Sequence, residues 1–82
     1  MDLIFQETQS RHQCGCEILV NNTITQCTFS SSTTVTIPRG LVFFDGRLEQ
    51  NESLTDSTFS ICQNHKARLK NVFAELINKN NS

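Results

Sequence analysis

Apolar residues recur along this chain with two different periods, and each period marks a different kind of element. Leu69, Val72, Phe73, Leu76 and Ile77 are spaced by threes and fours, which places them on one face of a helix and predicts an amphipathic helix over 63–79. Ser60 is the expected cap. Upstream the spacing shortens to two. Glu17-Ile18-Leu19-Val20 and Thr23-Ile24-Thr25-Gln26 flank Asn21-Asn22, and asparagine tolerates the positive φ of a tight turn, so a hairpin is expected within 14–29. A second hairpin is expected over 33–49. There a β-branched run at 33–37 is interrupted by Pro38-Arg39-Gly40, and Leu41-Val42-Phe43-Phe44 leads into the turn pair Asp45-Gly46, from which Arg47-Leu48-Glu49 returns.

The remaining segments are polar. Residues 1–10 read as an N-terminal segment and 30–34 as a loop. Residues 50–60 read as turn-rich, with Phe59 and Ile61 inserted into the core, and 78–82 as a fraying tail. The fold class is therefore a single α+β domain over 1–82, with small antiparallel hairpins packed on one C-terminal helix.

Composition adds a constraint. Only 37% of the 82 residues are hydrophobic, with six Phe and no Trp or Tyr. In chains of this size apolar burial alone seldom leaves more than about 3 to 5 kcal/mol after chain entropy, so a further staple is expected. The net charge of −1 offers no global field for a phosphate backbone. Residues 1–10 lack the basic start and apolar run of a signal peptide, and no stretch has membrane-spanning length, so a soluble intracellular protein with no membrane partner is expected.

The staple is suggested by four cysteines and two histidines. His12, Cys14 and Cys16 lie near the start, Cys62 and His65 near the end, and Cys27 between. Two short donor groups far apart in sequence can fold together around one tetrahedral Zn²⁺, and a reducing compartment favours metal ligands over disulfides. Six donors compete for four places. The first set is Cys14, Cys16, Cys62 and His65. Its main rival exchanges Cys14 for Cys27, because Cys27 opposes Cys16 across the expected hairpin; His12 is the last reserve. Cys62 and His65 fall at the helix start, where the dipole favours a thiolate.

Cys14-Gly15-Cys16, a hairpin, and Cys62-Gln63-Asn64-His65 at a helix start together resemble a treble-clef zinc finger. That resemblance implies a knuckle role for Cys14 and Cys16 and a helical role for Cys62 and His65. Cys-Gly-Cys is shorter than the usual knuckle, and Gly15 is expected to supply the backbone bend. The pattern is also similar to small phage-encoded proteins, which implies a viral accessory protein or inhibitor acting on a host protein.

Four protein ligands would make the zinc structural and leave no place for an activated water. Cys62 with His65 could form a nucleophile pair, but no orienting group or oxyanion site is marked, so an enzyme is not expected. The leading expectation is protein–protein interaction. Four consecutive apolar residues cannot all face one side of a sheet, so Val42 and Phe44 would be covered by a host protein, by a second copy, or by Leu3-Ile4-Phe5. The alternative is nucleic-acid binding through Arg11, Lys66, Arg68 and Lys70.

Overall fold

A computed structural model describes residues 2–52 and 55–80 of the chain. Seven strands, β1 (Ile4–Gln13), β2 (Glu17–Val20), β3 (Thr23–Gln26), β4 (Ser30–Ile37), β5 (Leu41–Phe44), β6 (Arg47–Gln50) and β7 (Ser57–Ser60), precede one helix, α1 (Gln63–Asn80). The strands form a three-stranded antiparallel sheet in the order β1-β4-β7 and the two hairpins β2-β3 and β5-β6. The fold is α+β, as expected. Residues 81 and 82 of the expected tail lie outside the described residues.

Both hairpins turn as their sequences require. Asn21 and Asn22 have φ of 52° and 64°, and Asp45 and Gly46 have φ of 50° and 73°. These left-handed pairs match the right-handed twist of the strands they join. The turns also connect the hairpins to each other. Asp45 donates its N–H to the Glu17 carbonyl at 2.9 Å, and its Oδ1 accepts the Leu19 N–H at 3.1 Å.

The three-stranded sheet departs from the expected layout. Of the hairpin expected over 33–49, residues 41–44 and 47–49 do pair across Asp45-Gly46, but 33–37 belong to β4, which begins at Ser30 inside the segment read as a loop and is the central strand of the other sheet. Its partners are β1, in the segment read as an N-terminal tail, and β7, in the segment read as turns. The buried face of β4 carries Ser31, Thr33, Val35 and Ile37. Two polar residues are tolerated there because they are bonded: Ser31 Oγ accepts the Thr33 N–H at 2.9 Å, and Thr33 Oγ1 donates to Glu7 at 2.6 Å. That bond, with a smaller contribution from Lys66, holds the Glu7 carboxyl below its ordinary range. Between the Glu7–Thr33 and His12–Ser31 pairs β1 advances five residues while β4 advances two, so β1 bulges just before it delivers Cys14.

The core consists of Val35, Ile37, Leu41, Phe43, Ile61, Leu69 and Phe73 together with all four cysteines. Phe59, on β7, and Ile61, just past its end, insert as expected. Leu69 and Phe73 are buried, Val72 and Leu76 are half-buried, and Ile77 at the rim is exposed. Ser60 ends β7 and does not cap α1. The residue at the N-cap position is Cys62, whose carbonyl accepts the Lys66 N–H at 2.8 Å. Among the described residues no helix is long and apolar enough to cross a membrane.

Candidate metal centre

Three chain segments meet at one point: the β1-β2 junction, the chain just after β3, and the start of α1. They carry Cys14, Cys27, and the pair Cys62 and His65. One donor atom from each of these four residues lies within 4.8 Å of all the others. The shorter separations are 3.3 Å from Cys62 Sγ to His65 Nδ1, 3.6 Å from Cys14 Sγ to His65 Nδ1, and 3.9 Å from Cys27 Sγ to Cys62 Sγ. Zn–S and Zn–N bonds of about 2.3 and 2.05 Å at tetrahedral angles put two sulfurs about 3.8 Å apart and sulfur about 3.6 Å from nitrogen. The three shorter separations lie close to these values and the others stay within 4.8 Å, so small inward shifts would close the four donors around such an ion. All four cysteines of the chain are free thiols.

Local backbone geometry explains the arrangement. Cys62 at the N-cap position and His65 three residues on lie on one side of the first helical turn. The His65 ring meets Phe43 edge to face, with centroids 6.1 Å apart and planes at 81°, which fixes its orientation. The Cys62 N–H, a free donor at a helix start, points to Cys14 Sγ at 3.3 Å. On the sheet side Cys14-Gly15-Cys16 lies between β1 and β2, outside both ladders. There Cys14 Sγ accepts the N–H of Cys16, and Cys27 Sγ likewise accepts the N–H of Phe29.

Gly15 serves this segment differently from what was expected. Its φ is not in the left-handed region. Glycine suits the position because a Cβ would meet Phe59 Cβ at 3.1 Å, a tight contact that Phe59 would have to yield to, and the Gly15 N–H bonds the Ser60 carbonyl at 2.7 Å.

The thiols are electrostatically unequal. Burial pushes the Cys14 thiol up, but N–H donors from Cys16 and Cys62 outweigh it, leaving the group below its ordinary range. Burial, together with the nearby Cys14 charge, pushes Cys27 up to about 11 and Cys16 higher still. Cys14 is thus the thiol that gives up its proton more readily than Cys27 and Cys16 beside it, and a divalent cation would favour the thiolate form of every sulfur it binds.

Of the residues expected from sequence, Cys14, Cys62 and His65 are brought together, and Cys27 stands with them. The gathered set differs from both expected ones: the first has Cys16 in place of Cys27, and the rival has Cys16 in place of Cys14. Cys16 is buried and hydrogen-bonded to Cys14, beside the four-donor group. His12 lies on the exposed part of β1, its Nε2 3.0 Å from Ser10 Oγ, away from the group. Two residues that sequence reasoning missed are Gln13 and Gln26, whose side-chain amides donate to the Cys27 carbonyl at 3.0 Å and the Cys14 carbonyl at 2.9 Å. Their signal was the repeated dipeptide Gln-Cys at 13–14 and 26–27.

The residues expected at partner surfaces are distributed differently. Val42 and Phe44 are half-buried, and Val42 helps line a cavity of about 290 Å³ with Ile37, Leu41 and Phe59. Arg11 donates to the Ser30 carbonyl and Arg68 to the Gly46 carbonyl, each at 2.8 Å. The Lys66 and Lys70 ammonium groups stand 5.2 and 5.5 Å from the centre of the Phe5 ring. Phe5 is thus committed to the helix.

No family model matches the chain, and neither a curated protein nor a solved structure matches it. The class that fold and site define is a small α+β domain carrying a Cys/His cluster with metal-binding geometry.

Proposed function

We propose that this chain is a zinc-binding protein-interaction module whose metal is structural, held by Cys14, Cys27, Cys62 and His65. The observation that carries the reading is the convergence of these four donors within 4.8 Å of one another. Coordination through Nδ1 leaves the remaining imidazole proton on Nε2. Four protein donors close the coordination sphere and leave no place for a reactive water, so the module is not an enzyme. The helical pair Cys62 and His65 keeps the treble-clef likeness. The other two donors depart from it, coming from the two ends of a hairpin and not from one knuckle.

The interaction reading is supported by the β2-β3 hairpin. Leu19, Val20 and Ile24 are 45, 47 and 60% exposed in a segment, 18–25, that carries no charge. The identity of the partner as a host protein follows from the phage likeness alone. Against nucleic acid, all four candidate cations are engaged within the chain, as described above.

Two measurements on purified protein test the reading. Elemental analysis is expected to give one zinc per chain with four reactive thiols after denaturation in chelator. Titration with a single-stranded oligonucleotide at low salt is expected to show no affinity that Lys66→Glu with Lys70→Glu removes. Chain free of zinc would overturn the metal reading, and salt-sensitive binding lost in that variant would replace protein by nucleic acid as the partner.

A further inference from the structure

The two glutamines belong to a larger pattern that relates Cys14 to Cys27 by an approximate two-fold axis. The Cys14 N–H donates to the Phe29 carbonyl at 2.7 Å, and the Cys27 N–H donates to the Cys16 carbonyl at 2.9 Å. Each cysteine thus bonds the residue two beyond the other. Each sulfur accepts the N–H of the residue two beyond itself, Cys16 in one case and Phe29 in the other. Each preceding glutamine then reaches across to the opposite cysteine's carbonyl: Gln26 to Cys14 at 2.9 Å, Gln13 to Cys27 at 3.0 Å. The result is that both backbone groups of Cys14 and of Cys27 are pinned by the opposing segment.

We infer that Gln13 and Gln26 are a matched pair of positioning residues that select Cys14 and Cys27, and not Cys16, as metal ligands. The inference rests on the zinc reading above. Cys16 is a fifth donor close enough to hydrogen-bond Cys14, so something must decide which thiols enter the sphere. Under the two-fold relation Cys16 occupies the place of Phe29, the position that supplies an N–H to a ligand sulfur and not a ligand. The amide pair holds that assignment in place. Both glutamines are exposed, so burial does not force these bonds. Glutamine suits the task because its amide donates without charge and spans from one segment to the carbonyl opposite; a glutamate would have no donor.

The test compares wild-type protein with Gln13→Met, Gln26→Met and the double variant, which keep side-chain length and remove the donor. Zinc affinity is read by competition with a chromophoric chelator, and ligand geometry by the visible absorption of the Co²⁺-loaded forms. Loss of such supporting bonds typically costs about 10- to 100-fold in metal affinity, and the double variant is expected within that range with an altered Co²⁺ spectrum. Cys16→Ser is expected to weaken binding more in the double variant, where Cys16 is free to replace a displaced ligand, than in the wild-type background; an equal effect in both backgrounds would count against the inference. Wild-type affinity and spectrum in the double variant would overturn the inference alone. If the double variant does not fold, an unchanged affinity in both single variants would do the same. Wild-type protein that takes up no metal would overturn the zinc reading and this inference with it.

Discussion

The two hairpins share a turn conformation and a strand length, yet they are secured by different forces. In β5-β6 the alternate residues Leu41 and Phe43 are buried and Leu48 packs against them, so apolar contact holds the hairpin to α1. In β2-β3 only Ile18 is even half-buried. That hairpin is held at its base, by the thiols of Cys14 and Cys27, the glutamine bonds, and the two hydrogen bonds to Asp45. An isolated two-stranded hairpin is marginal in water, so the base must supply what the strands do not. A chain with few apolar residues can thus extend an apolar arm: one hairpin is held by apolar packing and the other by a Cys/His cluster and hydrogen bonds at its base.

The largest expected effect comes from removing the metal. Structural zinc contributes roughly 10 to 16 kcal/mol in small finger peptides at neutral pH, so strong chelator or Cys62→Ser is expected to abolish amide-exchange protection in β2-β3 and the first turn of α1. Protection in β5-β6 that falls equally early would show that the hairpins do not differ as described. Phe43→Ala is the converse experiment. It is expected to cost about 3 to 4 kcal/mol in chemical denaturation of the zinc-loaded protein while leaving zinc stoichiometry intact, because the lost contacts are apolar. The same change also removes the ring against His65, so a modest increase in zinc off-rate is expected to accompany it.

A smaller effect is expected from pH. In the metal-free protein the Cys27 thiol is raised from its ordinary 9.0 to about 11. Between those values the unfolded chain has lost a proton that the folded chain keeps, so stability falls as pH rises through this window. Cys16, also raised, acts in the same sense, whereas Cys14, which is lowered, adds stability as pH rises toward 9.0. Thermal melts of metal-free protein from pH 8 to about 11 check this; loading with zinc, which deprotonates its ligands in advance, is expected to remove the share of the fall that comes from Cys27 and to leave that of Cys16, which is not a ligand. Ile24→Ser should change least, within about 0.5 kcal/mol, because the side chain is already in water. A loss of several times that amount would place Ile24 in a core.

The elements legible in the sequence were those fixed by local signals. Asn21-Asn22 and Asp45-Gly46 set their turns by backbone chemistry, and α1 announced itself through Leu69, Val72, Phe73 and Leu76. The three-stranded sheet was not legible, because its strands meet only through long-range pairing. Residues 6–13 of β1 are uniformly polar and exposed and show no alternation to read. In β4 the interior positions Ser31 and Thr33 are polar residues made tolerable by hydrogen bonds that the sequence does not display. At the metal centre, three of the four gathered donors were in the leading set. The exchange of Cys16 for Cys27 was not legible, because residues 14–16 lie outside both neighbouring ladders, with Gly15 against Phe59 in a long-range contact that the sequence does not display.

Zinc K-edge X-ray absorption on the loaded, full-length chain tests the central claim most directly. Three sulfurs at about 2.3 Å and one nitrogen at about 2.0 Å around one ion per chain are the expected result. A shell of four sulfurs, which would bring Cys16 in and leave His65 out, or a shell containing water oxygen, would contradict it.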